Sequence, residues 1–154
     1  MPDQIILTEE GRVKLEEELK NLKEVRRPEI IEKIEQAKEL GDLSENAEYH
    51  DAKDQQGWTE ARIRQIEEIF KLAIIKEVTQ TKDKITLGSK FVVKDPTGKT
   101  RELTIVGFNE ASPLEGRISV DSPMGQAFLN SKKGEEVEVI APRGKIIYKV
   151  VEIL

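Results

Sequence analysis

The chain has 154 residues, a formal net charge of −5, 36% charged side chains against 5% aromatics, and no cysteine. That length allows one domain or two small ones, and a charged share well above the roughly 25% of an ordinary globular chain implies a thin core and an extended part. The absence of cysteine excludes disulfides, zinc–thiolate centres and thiol nucleophiles, and the longest apolar run, Leu72 to Ile75, is far short of the roughly 20 residues that span a bilayer. Met1-Pro2-Asp3-Gln4 is not the start of a signal peptide, so a cytoplasmic protein with no membrane attachment is expected. The charge is also uneven. Residues 1–80 hold 13 basic and 20 acidic side chains, residues 81–154 hold 12 and 10, and neither half has the positive field that coats duplex phosphates.

Residues 9–39 read as helix. Leu15, Leu19 and Leu22 follow a 4-3 spacing, and Ile30, Ile34 and Ala37 repeat it after a slip of one residue. Pro28 lies in the slip, which predicts a kink near Arg26-Arg27-Pro28. Gly41 marks a break. A second stripe then runs through Tyr49, Ala52, Gln56, Thr59, Ile63, Ile66, Phe70 and Ala73, a 3-4 repeat that argues for a coiled-coil seam. Two such helices form an antiparallel hairpin, and its first arm of residues 9–39 would be roughly 45 Å long at 1.5 Å per residue. Ala37, Ala47 and Ala52 near the turn predict a slim tip. The polar stretch Thr79 to Asp83 reads as a linker. Beyond it Phe91-Val92-Val93, Leu103 to Val106, Ile118 to Val120, Val137 to Ile140 and Ile146 to Ile153 read as strands, with turns at Asp95-Pro96-Thr97-Gly98 and Pro142-Arg143-Gly144 and a short helix within Gly125 to Asn130. The expected class is α+β: a helical hairpin with an acidic tip over 1–78, a linker over 79–84 and a small α+β domain over 85–154.

The tip, Leu40 to Tyr49, carries the chemistry. Asp42 and Glu45 are three apart at a helix start, which puts both carboxylates on one face. As a capping-box variant the pair would satisfy free N–H groups. As a metal site it would offer two hard ligands to Mg²⁺, which takes few protein carboxylates and many waters or phosphate oxygens. Such a pair binds weakly unless another molecule completes the shell. His50 has no cysteine or coupled serine to work with and reads as a structural or surface residue. Tyr49 reads as packing and Trp58 as partly buried along the hairpin. Lys38 and Lys53 read equally as solvated charges or as contacts to RNA. No P-loop, Rossmann fingerprint or metalloprotease helix is present.

Arg26-Arg27-Pro28, the run Gly41-Asp42-Leu43-Ser44-Glu45-Asn46-Ala47-Glu48-Tyr49-His50, Ala52-Lys53 and Gln56-Gly57 closely resemble the bacterial transcript-cleavage elongation factors of the GreA type. Ile105-Val106-Gly107, Ile118-Ser119, Ser122-Pro123 and Gly134-Glu135-Glu136-Val137 extend that resemblance to nearly the whole chain. The resemblance implies an FKBP-like second domain that grips the rim of the secondary channel of RNA polymerase, with Asp121, Ser122 and Pro123 in the docking loop. It implies that the hairpin reaches the active centre, where Asp42 and Glu45 help hold a shared Mg²⁺ and position water while the polymerase cleaves the extruded 3′ end of its nascent RNA. The protein would then bind no cofactor and catalyse nothing alone, and a monomer is expected. Lys38 and Lys53 match the family's basic patch near the RNA. Lys38 and Leu40 stand where many relatives carry Arg and His, and lysine keeps the charge without the bidentate phosphate geometry. Two competing functions are an inhibitor of the same channel and an FKBP-like isomerase or chaperone.

Overall fold

The one-residue slip in the apolar stripe is taken up by a single turn of π-helix in the computed structural model, which describes residues 4–154. Helix α1 (Glu9–Asn21) runs into the π-turn (Leu22–Arg26) and leaves it as α2 (Arg27–Lys38). The Arg27 N–H donates to the Leu22 carbonyl, five residues back. An α-turn would reach back four, so the wider turn absorbs the surplus residue and returns Ile30 to the seam. Pro28 falls in the first turn of α2, where it has no N–H to contribute. The expected kink is therefore a widened turn that ends at Arg26.

The second arm, α3 (Ala47–Leu72), buries Ala52, Thr59, Ile63, Ile66 and Ile69, while α2 buries Ile30, Ile34 and Ala37. The stripe holds up to Ile66 and then rotates. Ile69 is buried and Phe70 only half so, and Ala73 already belongs to a strand. Trp58 is 68% exposed, not partly buried. Ala47 is exposed as well, because it opens α3 on the outer side; Ala37 and Ala52 alone narrow the tip. Ion pairs join the arms. Arg62 grips Glu18 with two bonds (2.6 and 2.9 Å), Arg27 grips Glu60 with two (2.7 and 2.9 Å), and Lys23 meets Glu67 at 2.7 Å.

Two compact units emerge: residues 13–72, and residues 73–154 together with the segment up to Arg12. In the second unit β1 (Ile5–Leu7) pairs in parallel with β2 (Ala73–Ile75), through Ile5↔Ala73 and Leu7↔Ile75. Both strands lie in stretches that the sequence reading gave to the hairpin. Residues 79–84 contain no helix or strand. Strands β3 (Lys90–Lys94), β4 (Thr100–Val106), β5 (Arg117–Ser119), β6 (Glu136–Ala141) and β7 (Gly144–Ile153) form a sheet in the order β5-β4-β3-β7-β6. Only the β4–β5 pair is parallel. Inward residues alternate along the strands, as in Phe91 and Val93 or Val137 and Val139. They pack around Phe128 of the short helix α4 (Pro123–Phe128), whose ring lies 5.2 Å from Phe91 and 5.8 Å from Tyr148. Gly125 permits that approach, since a Cβ there would lie 2.0 Å from the Ser119 carbonyl oxygen. A helical hairpin followed by a mixed sheet curled around one helix is the expected α+β, FKBP-like class.

Candidate functional site: the acidic hairpin tip

Helix α2 ends as the Leu40 N–H turns back to the Ala37 carbonyl at 3.1 Å. Gly41 follows at φ +126, a backbone conformation that side chains with a Cβ rarely adopt. The chain then makes a tight turn around Asp42. Its Oδ1 accepts the Ser44 N–H at 3.0 Å and the Ser44 hydroxyl at 2.9 Å, the Asx-turn geometry short acidic side chains favour. Both donors favour the ionised oxygen, and with the Ser44 backbone bond as the larger cause they hold the Asp42 carboxyl below its ordinary range. Glu45 is exposed on the same loop. Neither acid lies on a helical face, because α3 begins only at Ala47.

Capping belongs to Asn46. Its Oδ1 accepts the Tyr49 N–H at 3.0 Å, three residues on, and its Nδ2 donates to the Ala37 carbonyl at 2.6 Å. One amide therefore starts α3 and satisfies the end of α2. This corrects the capping-box reading of Asp42 and Glu45. Asn three positions before Tyr49 was a legible N-cap signal, but placing the helix start at Asp42 concealed it. His50 Nε2 lies 3.2 Å from the Ser44 carbonyl and ties the loop to the first turn of α3. Tyr49 is half-buried against Ile30, Ile34 and Ala52, as packing requires, with its ring 5.6 Å from that of His50. Leu40 (67% exposed) and Leu43 flank the acids. Lys38, at the end of α2, lies 3.8 Å from Glu35, and the Lys53 ammonium donates to Gln56 at 2.9 Å. The tip thus presents two carboxylates between two exposed lysines, each lysine engaged with its own helix.

The Asp121-Ser122-Pro123 loop is the entry turn of α4. The Ser122 hydroxyl accepts the Gly125 N–H (3.0 Å) and donates to the Ser119 carbonyl (2.7 Å), while Pro123 occupies the first turn and is exposed. Asp121 is turned inward, with Oδ2 buried and without a hydrogen-bond partner. Burial pushes its carboxyl up, against the Ile6 backbone bond and the Lys76 charge.

The family model described as "Transcription elongation factor, N-terminal" matches residues 5–75, and the one described as "Transcription elongation factor, GreA/GreB, C-term" matches residues 80–154. The transcription elongation factor GreA of Bacillus cereus is 44% identical over 96% of this chain and 94% of its own. That of Caldanaerobacter subterraneus subsp. tengcongensis is 46% identical over 99% of both. Among solved structures, Gfh1 of Thermus aquaticus is 32% identical over 99% of each chain, with a TM-score of 0.47. With both halves matched in order and nearly half of the residues shared, the chain belongs to the GreA/GreB family of transcription elongation factors.

Proposed function

We propose that this protein binds bacterial RNA polymerase and stimulates the polymerase's own cleavage of backtracked nascent RNA, with Asp42 and Glu45 delivered to the active centre and no hydrolysis by the protein alone. The observation that carries the reading is the Asp42 turn. It presents an ionised carboxylate at the end of a helical hairpin, and because both Ser44 bonds fall on Oδ1 the turn does not consume Oδ2. Asn46 and His50 restrict the loop that bears it.

Mg²⁺ is the ion implied, and the donor set fits it: two exposed hard carboxylates, with room for phosphate oxygens and water. Asp42 and Glu45 would hold it jointly with ligands from the polymerase and the RNA. When bound, such an ion stabilises charge on a phosphodiester and activates water. Ser44 orients Asp42, and Lys38 and Lys53 set positive charge on either arm beside the extruded 3′ end. The loop at 121–123 is the proposed docking element, with Pro123 as its exposed member. No helix among the described residues is long and apolar enough to cross a membrane; a polymerase partner places the protein in the cytoplasm, as a monomer whose hairpin seals its own seam.

The isomerase alternative needs an open aromatic-lined pocket. Phe91, Phe128 and Tyr148 are instead spent on one another in the core. The test is a stalled, backtracked complex with 3′-labelled RNA, polymerase and Mg²⁺. Wild type should release short labelled fragments, and Asp42→Asn with Glu45→Gln should bind equally and release none. Binding without release by either protein would instead make this a channel-blocking inhibitor.

A further inference from the structure

Arg27 does two things at one position. Its backbone N–H closes the π-turn on Leu22, and its guanidinium makes a two-bond clamp on Glu60 of the opposite arm, at 2.7 and 2.9 Å. The clamp holds Glu60 ionised below its ordinary range and raises Arg27 further, in each case chiefly through the hydrogen bonds between them. The π-turn itself adds one residue to the first arm that the second arm does not match. Without it, the arm would be about 1.5 Å shorter between its two apolar sets, Leu15–Leu19–Leu22 and Ile30–Ile34–Ala37. Nothing in the seam's chemistry demands the extra residue. With Val25 absent, Ile30 would fall seven positions after Leu22, in an unbroken heptad. A π-turn is a rare and poorly favoured conformation, so its presence beside a two-bond clamp calls for another reason.

We propose that the π-turn, locked by the Arg27–Glu60 clamp, sets the lengthwise stagger of the two arms and so fixes where the tip loop carries Asp42 and Glu45. Arg27 and Glu60 are positioning residues for transcript cleavage. The link to the tip is Asn46, which bonds the Ala37 carbonyl of one arm to the first turn of the other and cannot serve both if the arms slide. The proposal rests on the cleavage function given above.

The test compares wild type, a deletion of Val25, Arg27→Ala, and the Asp42→Asn/Glu45→Gln control. Three quantities are read: binding, by competition with labelled wild type for polymerase; cleavage rate at saturating protein; and methyl and ring NOEs among Ile30, Ile34, Ala52 and Tyr49, which pack together in the native register. The deletion should keep its helical content and bind within about twofold of wild type. Its NOE pattern should shift, and saturating cleavage should fall about 10- to 100-fold, the usual cost of misplacing a reacting group by an ångström or so. Arg27→Ala, which keeps the chain length, should lower saturating cleavage by less and leave binding in place. A merely structural role would lower stability while sparing the saturated rate. A folded deletion variant with wild-type saturating cleavage, or with the native NOE pattern, overturns the proposal. If the deletion variant does not fold, Arg27→Ala decides, and wild-type cleavage by it overturns the proposal. Failure of wild type itself to stimulate cleavage sinks the functional reading instead. The stagger is then judged on NOEs, where a native pattern after deletion overturns it.

Discussion

Asn46 joins the two arms through a single amide, its oxygen on the Tyr49 N–H and its nitrogen on the Ala37 carbonyl. Replacing it with alanine removes an N-cap and a second bond, and should lower stability by about 1–2 kcal/mol in urea denaturation, with faster exchange of the Tyr49 amide. Asn46→Ser should restore the cap and the Tyr49 protection, but not the tie to Ala37. At Asp42 the sign of the pH effect follows from its lowered pKa. The bonds from Ser44 are fully present above the ordinary aspartate range and are lost only as pH falls beneath it, through the depressed value of the folded state. An NMR titration that follows the Asp42 carboxyl and the Ser44 amide should show both changing together below that range. A midpoint at or above it would mean that the turn is not held.

At the scale of elements, what the chain shows about itself depends on whether the cause is local. The slip between Leu22 and Ile30 and the proline within it were visible in the spacing, and the structure locates there a π-turn that sequence can suggest only as a break. The seam positions were legible as far as Ile66, where apolar periodicity governs; the switch from Phe70 to Ile69 was not, because α3 gives way to β2 a turn later. Trp58 was expected to be partly buried because it stands beside the seam position Thr59, but one step along the helix turns it to solvent, 68% exposed. In α4 the Ser-Pro start was legible as a turn, but the need for glycine at 125 comes from the carbonyl of Ser119, the last residue of β5. Gly125→Ala would set a methyl 2.0 Å from the Ser119 oxygen. It should cost about 1–3 kcal/mol of stability by chemical denaturation, as forced overpacking does. Wild-type stability in that variant would show that α4 can shift away at no cost.

For the whole molecule, the discontinuous make-up of the sheet unit, the segment up to Arg12 together with residues 73–154, is the part that sequence could not supply. Strands of three residues carry no readable alternation, and a parallel pair made from distant segments has no turn signature between its members. The tip motif and the strands of the sheet could be read locally; the attachment of residues 5–12 to the sheet unit could not. That attachment has a polar centre. Thr8 donates to Glu110 at 2.6 Å and accepts the Gly11 N–H at 3.0 Å, while Glu110 also takes the Gly107 N–H at 3.2 Å and faces Arg117 at 3.9 Å. Alongside it the Phe108 N–H donates to the Ile6 carbonyl, and the Asn109 amide to the Gly11 carbonyl at 2.9 Å. Thr8 and Glu110 are both buried, so water does not readily replace a missing partner. Thr8→Val keeps the shape and branching of the side chain but takes a donor from the Glu110 carboxylate and the acceptor from the Gly11 N–H. The expected loss is about 1–3 kcal/mol in urea denaturation of the full chain, the cost of leaving buried polar groups unpaired. Hydrogen exchange should quicken at Gly11 and at Gly107 and Phe108 together, two places far apart in sequence. Quickening confined to Gly11 would mean that Thr8 acts only on its own helix start, and that the N-terminal segment is held to the sheet by β1 alone.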